Sequence, residues 1–466
     1  MHTTDGAGNG PRILIIGAGP TGLAAGYRLR ELGHTNFLML EASSKVGGLA
    51  ASEQSAAGFT YDIGGHVLFS HYPYFDKLFD TLMGDDYQTL RREAWIWMQD
   101  RFIPYPFQSH IRHLPPELAL ECVMGLIQAQ QHGVDLRKYR TFEDLIVGVF
   151  GDGIARLFMM PYNFKVWAHP PRMMNKEWIG ERMAVVNLQK VLGNIILQQD
   201  DVAWGPNSTF KYPRYGGTGG LFARMQPHVQ DQLRLNARVA TVNPLRKEVQ
   251  LEDGTTERYD LLLSTMPLDL LVQRMTEGVP DEVREQAALL RHSGSYIVGV
   301  GLRQPAPSEK CWIYFPEDDC PFYRVTYLSN YSPDVVPDPA THYSLLAEIS
   351  RSEFKPVDRA TVVDDTIDGM VATRLLREED RKDIVDAHLI ERDYTYPVPS
   401  LERDRALACL LPWLDSEGVF SRGRFGAWRY EVGNMDHSVA QGVEWVDRVL
   451  LGGEAEELTY QARRGC

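Results

Sequence analysis

The sequence predicts an α/β fold in which a Rossmann-like domain is combined with a helical domain and an antiparallel β-sheet domain. Three observations support this class. An apolar run at 13–16 leads directly into a glycine-rich turn. Residues 115–199 carry spaced apolar positions with few β-branched runs, a pattern typical of helices. Residues 293–350 alternate in the manner of strands.

The first element is the apolar run, which is followed by a Gly-x-Gly-x-x-Gly turn and a helix of small residues. This order is typical of a strand, a phosphate-binding turn and a helix in a dinucleotide site. An acidic residue after the next apolar run is placed to bind a ribose hydroxyl. We therefore predict cofactor contacts from Gly17, Gly19, Pro20, Thr21, Gly22 and Glu41.

A second glycine pair, Gly47 and Gly48, precedes Leu49. Glycine lets the backbone approach a pyrophosphate without interference from a Cβ. Two such turns favour a flavin dinucleotide, FAD, over a nicotinamide dinucleotide. A purely structural glycine turn would leave Glu41 and the second pair unexplained.

Composition limits the partners and the compartment. The net charge of −14 over 466 residues argues against nucleic-acid binding. The five cysteines show neither metal-ligand spacing nor disulfide density, so we expect no metal site and a reducing, cytoplasmic compartment. We find no apolar stretch that should span a membrane and no signal peptide.

The motifs predict discontinuous domains. We expect an FAD-binding domain from residues 9–80, 205–265 and 390–466. The helical substrate domain should comprise residues 108–204, and the antiparallel sheet domain residues 81–107 and 266–389. A strand near Tyr259 should return the chain to the first sheet, and a long helix should follow Gly433.

Seven blocks along the chain carry a resemblance to a known family. They are GGHVLFSHY (64–72), PYPFQ (104–108), PYNFKVWA (161–168), WGPNSTF (204–210), CWIYFPEDDCPFYR (311–324), SNYSP (329–333) and RGRFGAWRYEVGNMDHS (422–438). With these blocks the chain resembles the UDP-galactopyranose mutases, in particular their eukaryotic-type branch. The resemblance implies an FAD-dependent isomerase that interconverts UDP-galactopyranose and UDP-galactofuranose. Reduced flavin N5 would attack the anomeric carbon, with no net redox change.

The diphosphate of such a substrate needs cationic partners, and the planar fork of arginine suits phosphate oxygens. The resemblance assigns this role to Arg182 and Arg324, with hydroxyl donors from Tyr331, Tyr396 and Tyr430. Arg324 also lies in an apolar and aromatic stretch, where burial of an unpaired charge would be costly. We therefore expect an anionic group to meet it.

The uridine and the hexose need different surroundings. For uridine we expect stacking aromatics and an amide at the uracil edge, from Tyr105, Phe107, Phe158 and Gln108. The hexose hydroxyls should meet Asn163, Trp167, Asn207, Trp312 and Tyr314. The segments 204–207 and 180–182 could close over the site.

For the flavin, the resemblance places His66 near N5 as a further catalytic candidate, beside Arg182 and Arg324. The other contacts should come from Gly64, Gly65, Arg424, Gly433, Asn434, Met435 and Ser438. The start of the last helix should stabilise an anionic reduced flavin. The family often has Gln where Met435 stands, so only backbone groups would act there.

Three alternatives stay open at this stage. They are a mutase for another nucleotide sugar, a flavin oxidoreductase of the amine-oxidase type, and a binding protein that has lost its flavin. NADPH is a possible reductant, although Arg91 to Ala94 departs from the expected Arg-x-Ser. The sequence leaves the oligomeric state open.

Overall fold

The computed structural model describes residues 10–179, 187–200, 208–452 and 457–461. Its strands are β1 (Ile13–Ile16), β2 (Phe37–Leu40), β3 (Ser52–Gln54), β4 (Thr60–Asp62), β5 (Tyr87–Arg91), β6 (Ala94–Met98), β7 (Arg101–Pro104), β8 (Thr209–Pro213), β9 (Leu233–Arg234), β10 (Val239–Asn243), β11 (Glu248–Leu251), β12 (Thr256–Arg258), β13 (Leu261–Ser264), β14 (Arg291–Leu302), β15 (Trp312–Tyr314), β16 (Arg324–Tyr327), β17 (Tyr343–Arg351), β18 (Ile384–Val398) and β19 (Val419–Ser421). Its helices are α1 (Pro20–Glu31), α2 (Pro73–Met83), α3 (Pro116–His132), α4 (Phe142–Ile154), α5 (Met160–Trp167), α6 (Leu188–Leu197), α7 (Gly219–Val229), α8 (Leu268–Arg274), α9 (Asp281–Ala287), α10 (Val362–Ala372), α11 (Arg403–Ser416), α12 (Met435–Leu451) and α13 (Leu458–Gln461).

A five-stranded parallel sheet in the order β19-β13-β1-β2-β9 forms the first layer. All four residues of its central strand β1 are buried, as expected for a strand covered on both faces. The sheet brings Gly17, Glu41 and Thr265 to its carboxyl edge, where open α/β sheets bind their ligands.

A seven-stranded sheet in the order β18-β14-β17-β16-β15-β6-β7 forms the second layer. Its neighbours are antiparallel except for β15 and β6, which run parallel. Register in this sheet places Arg324 on β16 directly opposite Glu348 on β17. The two side chains consequently meet at one end of the sheet.

Helices α3 to α6 form the third part. A capping box between Thr141 and Asp144 starts α4, and Gly151, with φ of 73°, kinks its last turn before the chain continues into α5. Within the described residues, the stretch Phe142–Trp167 is long and apolar enough to cross a membrane. Half of its most apolar window is buried inside the protein, and core helices share this composition. The sequence alone did not indicate a stretch of this length and apolar composition.

These three parts confirm the predicted fold class. One strand departs from the predicted domain limits: β18 pairs with β14 along its length and crosses the expected boundary at residue 390. Residues 390–398 therefore lie in the antiparallel sheet, because pairing with β14 continues to Val398. The remaining boundaries stay a prediction.

Candidate active site

A cavity of about 1180 Å³ lies where the carboxyl edge of the parallel sheet meets the helical part and the antiparallel sheet. Most of the predicted site residues line it. On the expected cofactor side these are Gly17, Gly19, Pro20, Thr21, Glu41, Gly48, Leu49, Gly64, Gly65, His66, Arg424, Gly433, Asn434, Met435 and Ser438. On the expected substrate side they are Tyr105, Gln108, Phe158, Asn163, Trp167, Trp312, Tyr314, Arg324, Tyr396 and Tyr430.

Two of the glycines predicted to contact the cofactor are placed differently. Gly22 and Gly47 do not line the cavity: a Cβ on Gly22 would collide with the carbonyl oxygen of Gly17, and one on Gly47 would lie 3.1 Å from Ala51. These two glycines permit the close packing within the turns and do not face the cavity. Arg182 and Asn207 lie outside the described residues, as do the two segments expected to close over the site.

The N-terminus of α1 opens onto the cavity. Its first residue follows Gly19, and no side chain caps it. Gly17 takes a φ of 97°, a conformation that favours glycine, and a Cβ there would collide with the Thr265 hydroxyl. The uncapped N–H groups and the positive end of the helix dipole form an anion site.

Glu41 lies beside this turn and is 8% exposed. Its carboxylate accepts hydrogen bonds from the backbone N–H of Ala18 at 2.7 Å and from the N–H and hydroxyl of Ser43 at 2.8 and 2.7 Å. These bonds fix the carboxylate in place at the cavity wall. Oε1 accepts both bonds from Ser43, so Oε2, which accepts one bond, retains acceptor capacity for a hydroxyl group.

A second helix N-terminus, that of α12, opens onto the same cavity. Asn434 precedes the helix and provides no side-chain cap. Asp436 in the first turn is 1% exposed, and its carboxylate accepts from the backbone N–H of His71 at 3.2 Å and lies 2.9 Å from the Nδ1 of His71. Close packing of α1 and α12 requires Gly442, where a Cβ would collide with the carbonyl oxygen of Thr21.

The two uncapped helix ends, the glycine-lined turns and the fixed Glu41 carboxylate fit FAD. The α1 end and the turn at Gly48 match a pyrophosphate, Glu41 matches a ribose, and the α12 end matches a ring system that becomes anionic on reduction. Arg424 lies between this side and the substrate side: its guanidinium donates to the carbonyl of Gly433 and lies 5.2 and 5.0 Å from the rings of Tyr396 and Tyr430.

The turn Gly64-Gly65-His66 crosses between the cofactor side and the substrate side. Its peptide groups are held from both directions: the N–H of Gly65 donates to Glu348 at 3.0 Å, and its carbonyl accepts from Arg324 at 2.9 Å. The Nδ1 of His66 is buried without a partner among the described residues. Burial lowers the pKa of His66, so the imidazole is neutral near pH 7.

The anionic partner of Arg324 is an internal carboxylate. The Nε and Nη2 of Arg324 donate to Glu348 at 2.6 and 2.9 Å. Our sequence reasoning expected a substrate phosphate in this position, and it missed Glu348 because the strand register brings the pair together. Burial alone would raise the pKa of Glu348, but the guanidinium holds that pKa below its usual range.

Aromatic rings line the expected uridine side. Phe158 stacks on Tyr162 at 5.2 Å, and Tyr105 and Tyr162 both pack against Tyr314. Arg92, which sequence reasoning missed as a site residue, lies over Trp312 at 5.0 Å.

Two of the expected nucleotide contacts lie one layer behind the cavity. Phe107 is fully buried, stacks on Phe158 and begins a 3₁₀ turn at Phe107–Ser109. Such a turn puts Gln108 on the lining and Phe107 in the core. Tyr331 is 1% exposed and packs against Phe210 and Tyr212.

The expected hexose side is formed by an indole and phenol cluster on α5 and its neighbours. Trp167 packs against Tyr396, Tyr430 and Trp178 at 5.5, 4.8 and 4.9 Å. Asn163 lies one turn earlier on the helix and donates to the carbonyl of Met159. Trp178 also lines the cavity and was not predicted, since a single tryptophan carries no motif.

Comparison with known proteins agrees with this geometry. The family model for flavin-containing amine oxidoreductases matches residues 20–389. A crystal structure of reduced UDP-galactopyranose mutase is 41% identical, with a TM-score of 0.93 over 97% of this chain and 96% of that one. Cyclohexylamine oxidase from Brevibacterium oxydans shares the fold, at 16% identity and a TM-score of 0.66 over 96% and 99% of the two chains.

Curated relatives match only a short segment. Polyamine oxidase 7 of Oryza sativa is 48% identical over 61 residues, which is 13% of either chain. The match to the amine oxidoreductase family extends over most of the chain, whereas the mutase match extends over nearly all of it with much higher identity than the oxidase. The chain therefore belongs to the UDP-galactopyranose mutases, a branch of the flavin-containing amine oxidoreductases.

Proposed function

We propose that the protein interconverts UDP-galactopyranose and UDP-galactofuranose with FAD as its cofactor. The observation that carries this proposal is the continuity of the cavity, which joins two uncapped helix ends to a chamber lined by aromatic rings and Arg324. The similarity to reduced UDP-galactopyranose mutase supports the same activity.

Reduced FAD, when bound, supplies a nucleophilic nitrogen for the anomeric carbon of the sugar. The chain's own residues bind the cofactor and the substrate and orient them. Backbone N–H groups at the start of α1 would hold the pyrophosphate, Glu41 a ribose, and the start of α12 the negative charge of the reduced ring. His66 is neutral, so it adds no positive charge near the ring.

On the substrate side, Arg324 still has a guanidinium nitrogen, Nη1, without a partner among the described residues. We assign it to the diphosphate, together with Arg182. Tyr430 supplies a hydroxyl donor at the same wall, whereas the Tyr396 hydroxyl donates to Tyr323, whose own proton goes to Glu348. A diphosphate held in this way can leave the anomeric carbon and return to it without escaping into water.

We propose further that the protein works in the cytoplasm. The four cysteines within the described residues are free, which is consistent with a reducing compartment. NADPH is our proposed reductant. An NADPH oxidation assay with UDP-galactose present tests it, since the flavin should be bleached before any sugar product forms.

The activity is tested by incubating the protein, with its flavin chemically reduced under anaerobic conditions, with UDP-galactofuranose. Chromatography should detect UDP-galactopyranose, and little product should form from other UDP-hexofuranoses. Preference for a different nucleotide sugar would reassign the substrate. Oxidation of amines with consumption of oxygen would instead indicate the chemistry of the wider family.

A further inference from the structure

Glu348, a residue that the sequence did not predict, is hydrogen-bonded both to the Gly64–His66 turn and to Arg324 on the substrate side of the cavity. Its carboxylate is 4% exposed and accepts four hydrogen bonds: two from Arg324, one from the N–H of Gly65 and one from the hydroxyl of Tyr323 at 2.8 Å. Tyr323 in turn shares a hydrogen bond of 3.0 Å with the hydroxyl of Tyr396. One buried anion therefore contacts an arginine, a peptide group of the turn and a tyrosine pair.

The arrangement around Glu348 is closed. Arg324 donates to Glu348 and also to the carbonyl of Gly65, while the N–H of Gly65 donates back to Glu348. Three groups from β16, β17 and the Gly64–His66 turn thus form a triangle of hydrogen bonds. In such a triangle the position of any one group depends on the other two.

The triangle leaves little room for movement. A Cβ on Gly65 would lie 2.6 Å from the hydroxyl of Thr326 and 3.2 Å from Glu348, and one on Gly64 would lie 3.0 Å from Glu348. The backbone of the turn is therefore packed directly against the carboxylate. Only glycines permit this approach.

We propose that Glu348 is a positioning residue that holds Arg324 in the orientation needed for the substrate diphosphate and fixes the Gly65 peptide against it. This inference rests on the proposed function and extends it to a residue outside the predicted site. The carboxylate occupies Nε and Nη2, which leaves Nη1 directed elsewhere. A bidentate contact of this kind fixes the plane of the guanidinium.

The alternative role for Glu348 is neutralisation of the Arg324 charge. The two roles give opposite results for anion binding. If Glu348 only neutralised the charge, its loss would strengthen the binding of an anion. If it orients the guanidinium, its loss would weaken that binding.

The test uses UDP as the probe and the full FAD-loaded chain. Titration calorimetry should give a UDP Kd for Glu348→Gln about tenfold above that of wild type, because a misaligned guanidinium loses a charge-assisted contact. Flavin absorbance should show that the variant retains its FAD. Asp380→Asn is the control, since it removes another buried carboxylate bonded to an arginine, Arg377, outside the cavity. Its UDP Kd should equal that of wild type.

A double-mutant cycle separates positioning from a general loss of structure. Arg324→Met should weaken UDP binding, and Glu348→Gln added to it should weaken UDP binding no further, within about twofold. Independent effects that multiply, or tighter UDP binding by Glu348→Gln, would overturn the proposal. If Glu348→Gln fails to fold, Glu348→Asp retains the charge but is too short to span both partners, and the same cycle applies. Absence of UDP binding by the wild-type protein would instead contradict the proposed function.

Discussion

Gly19 and Gly48 bring the two glycine turns of the cavity into contact. A Cβ on Gly48 would lie 3.2 Å from the Cα of Gly19, and one on Gly19 would lie 3.8 Å from the Cα of Gly48. The second distance is an ordinary van der Waals contact, and apart from the chain neighbours of Gly19 no other described atom lies within 4 Å of that position. A side chain at Gly19 would therefore extend into the space assigned to the pyrophosphate.

The first prediction follows from this geometry. Gly19→Val should fold but purify without bound FAD, because its methyl groups would occupy the pyrophosphate position. Absorbance at the flavin band and thermal unfolding measure the two properties separately. Gly22→Val is the contrasting variant, since its side chain would collide with the carbonyl of Gly17 and should lower the melting temperature as well. Normal flavin content in Gly19→Val would contradict the assignment.

The second prediction concerns the two arginines assigned to the diphosphate. Arg182→Ala and Arg324→Ala should each lose about 1.5–3 kcal/mol of transition-state stabilisation, because a charge-assisted contact to phosphate disappears. Both variants should retain FAD, as measured by flavin absorbance. Steady-state kinetics with reduced flavin give kcat/KM. An unchanged value would remove that arginine from the site.

Most residues predicted for the cofactor side line the cavity, because the sequence signals that identify them are local. Gly17 to Gly22, Glu41 and the start of α12 lie at strand and helix ends that periodicity and glycine spacing identify. Glu348 was not predictable in this way. Its contact with Arg324 depends on the register of β16 against β17, which no local pattern specifies.

The aromatic residues show the same limit. Tyr105 and Gln108 line the cavity, but Phe107 between them does not, because a tight turn rotates it into the core. The motif at 104–108 therefore lies at the cavity wall. Which side chain faces the cavity depends on the 3₁₀ turn at Phe107–Ser109, which the motif does not specify.

The third prediction concerns stability at low pH. His169 is 4% exposed against Phe354, and burial lowers the pKa of His169 to about 4. The unfolded chain, with an ordinary value of 6.5, binds a proton first as the pH falls. Stability from neutral His169 should therefore be lost between about pH 6.5 and pH 4, by up to about 3 kcal/mol.

Urea unfolding at pH 7 and pH 5 measures this effect. The loss of unfolding free energy on acidification should be smaller in His169→Gln than in wild type. His132→Gln, at an exposed histidine, is the matched control variant. Identical acid sensitivity in wild type and His169→Gln would show that the imidazole is not responsible.

The fourth prediction concerns the stability contributed by a buried ion cluster next to Gly423. Arg422 and Glu457 are fully buried and paired, and Arg422 directly precedes Gly423, which lines the cavity. Glu457→Ala should cost about 3–5 kcal/mol, because it leaves most of the buried charge of Arg422 uncompensated. Arg448→Met, which removes the half-exposed partner of Glu457, should cost much less. Chemical denaturation followed by circular dichroism compares them, and equal losses would contradict this account.

The measurement that tests the central claim most directly is the ratio of product to reductant. The protein is reduced once with a stoichiometric amount of dithionite under anaerobic conditions, supplied with excess UDP-galactofuranose, and sampled by chromatography. We predict many molecules of UDP-galactopyranose per flavin from that single reduction and none from the oxidised protein. Equal activity in both redox states, or one reductant consumed for each product formed, would contradict the proposed function.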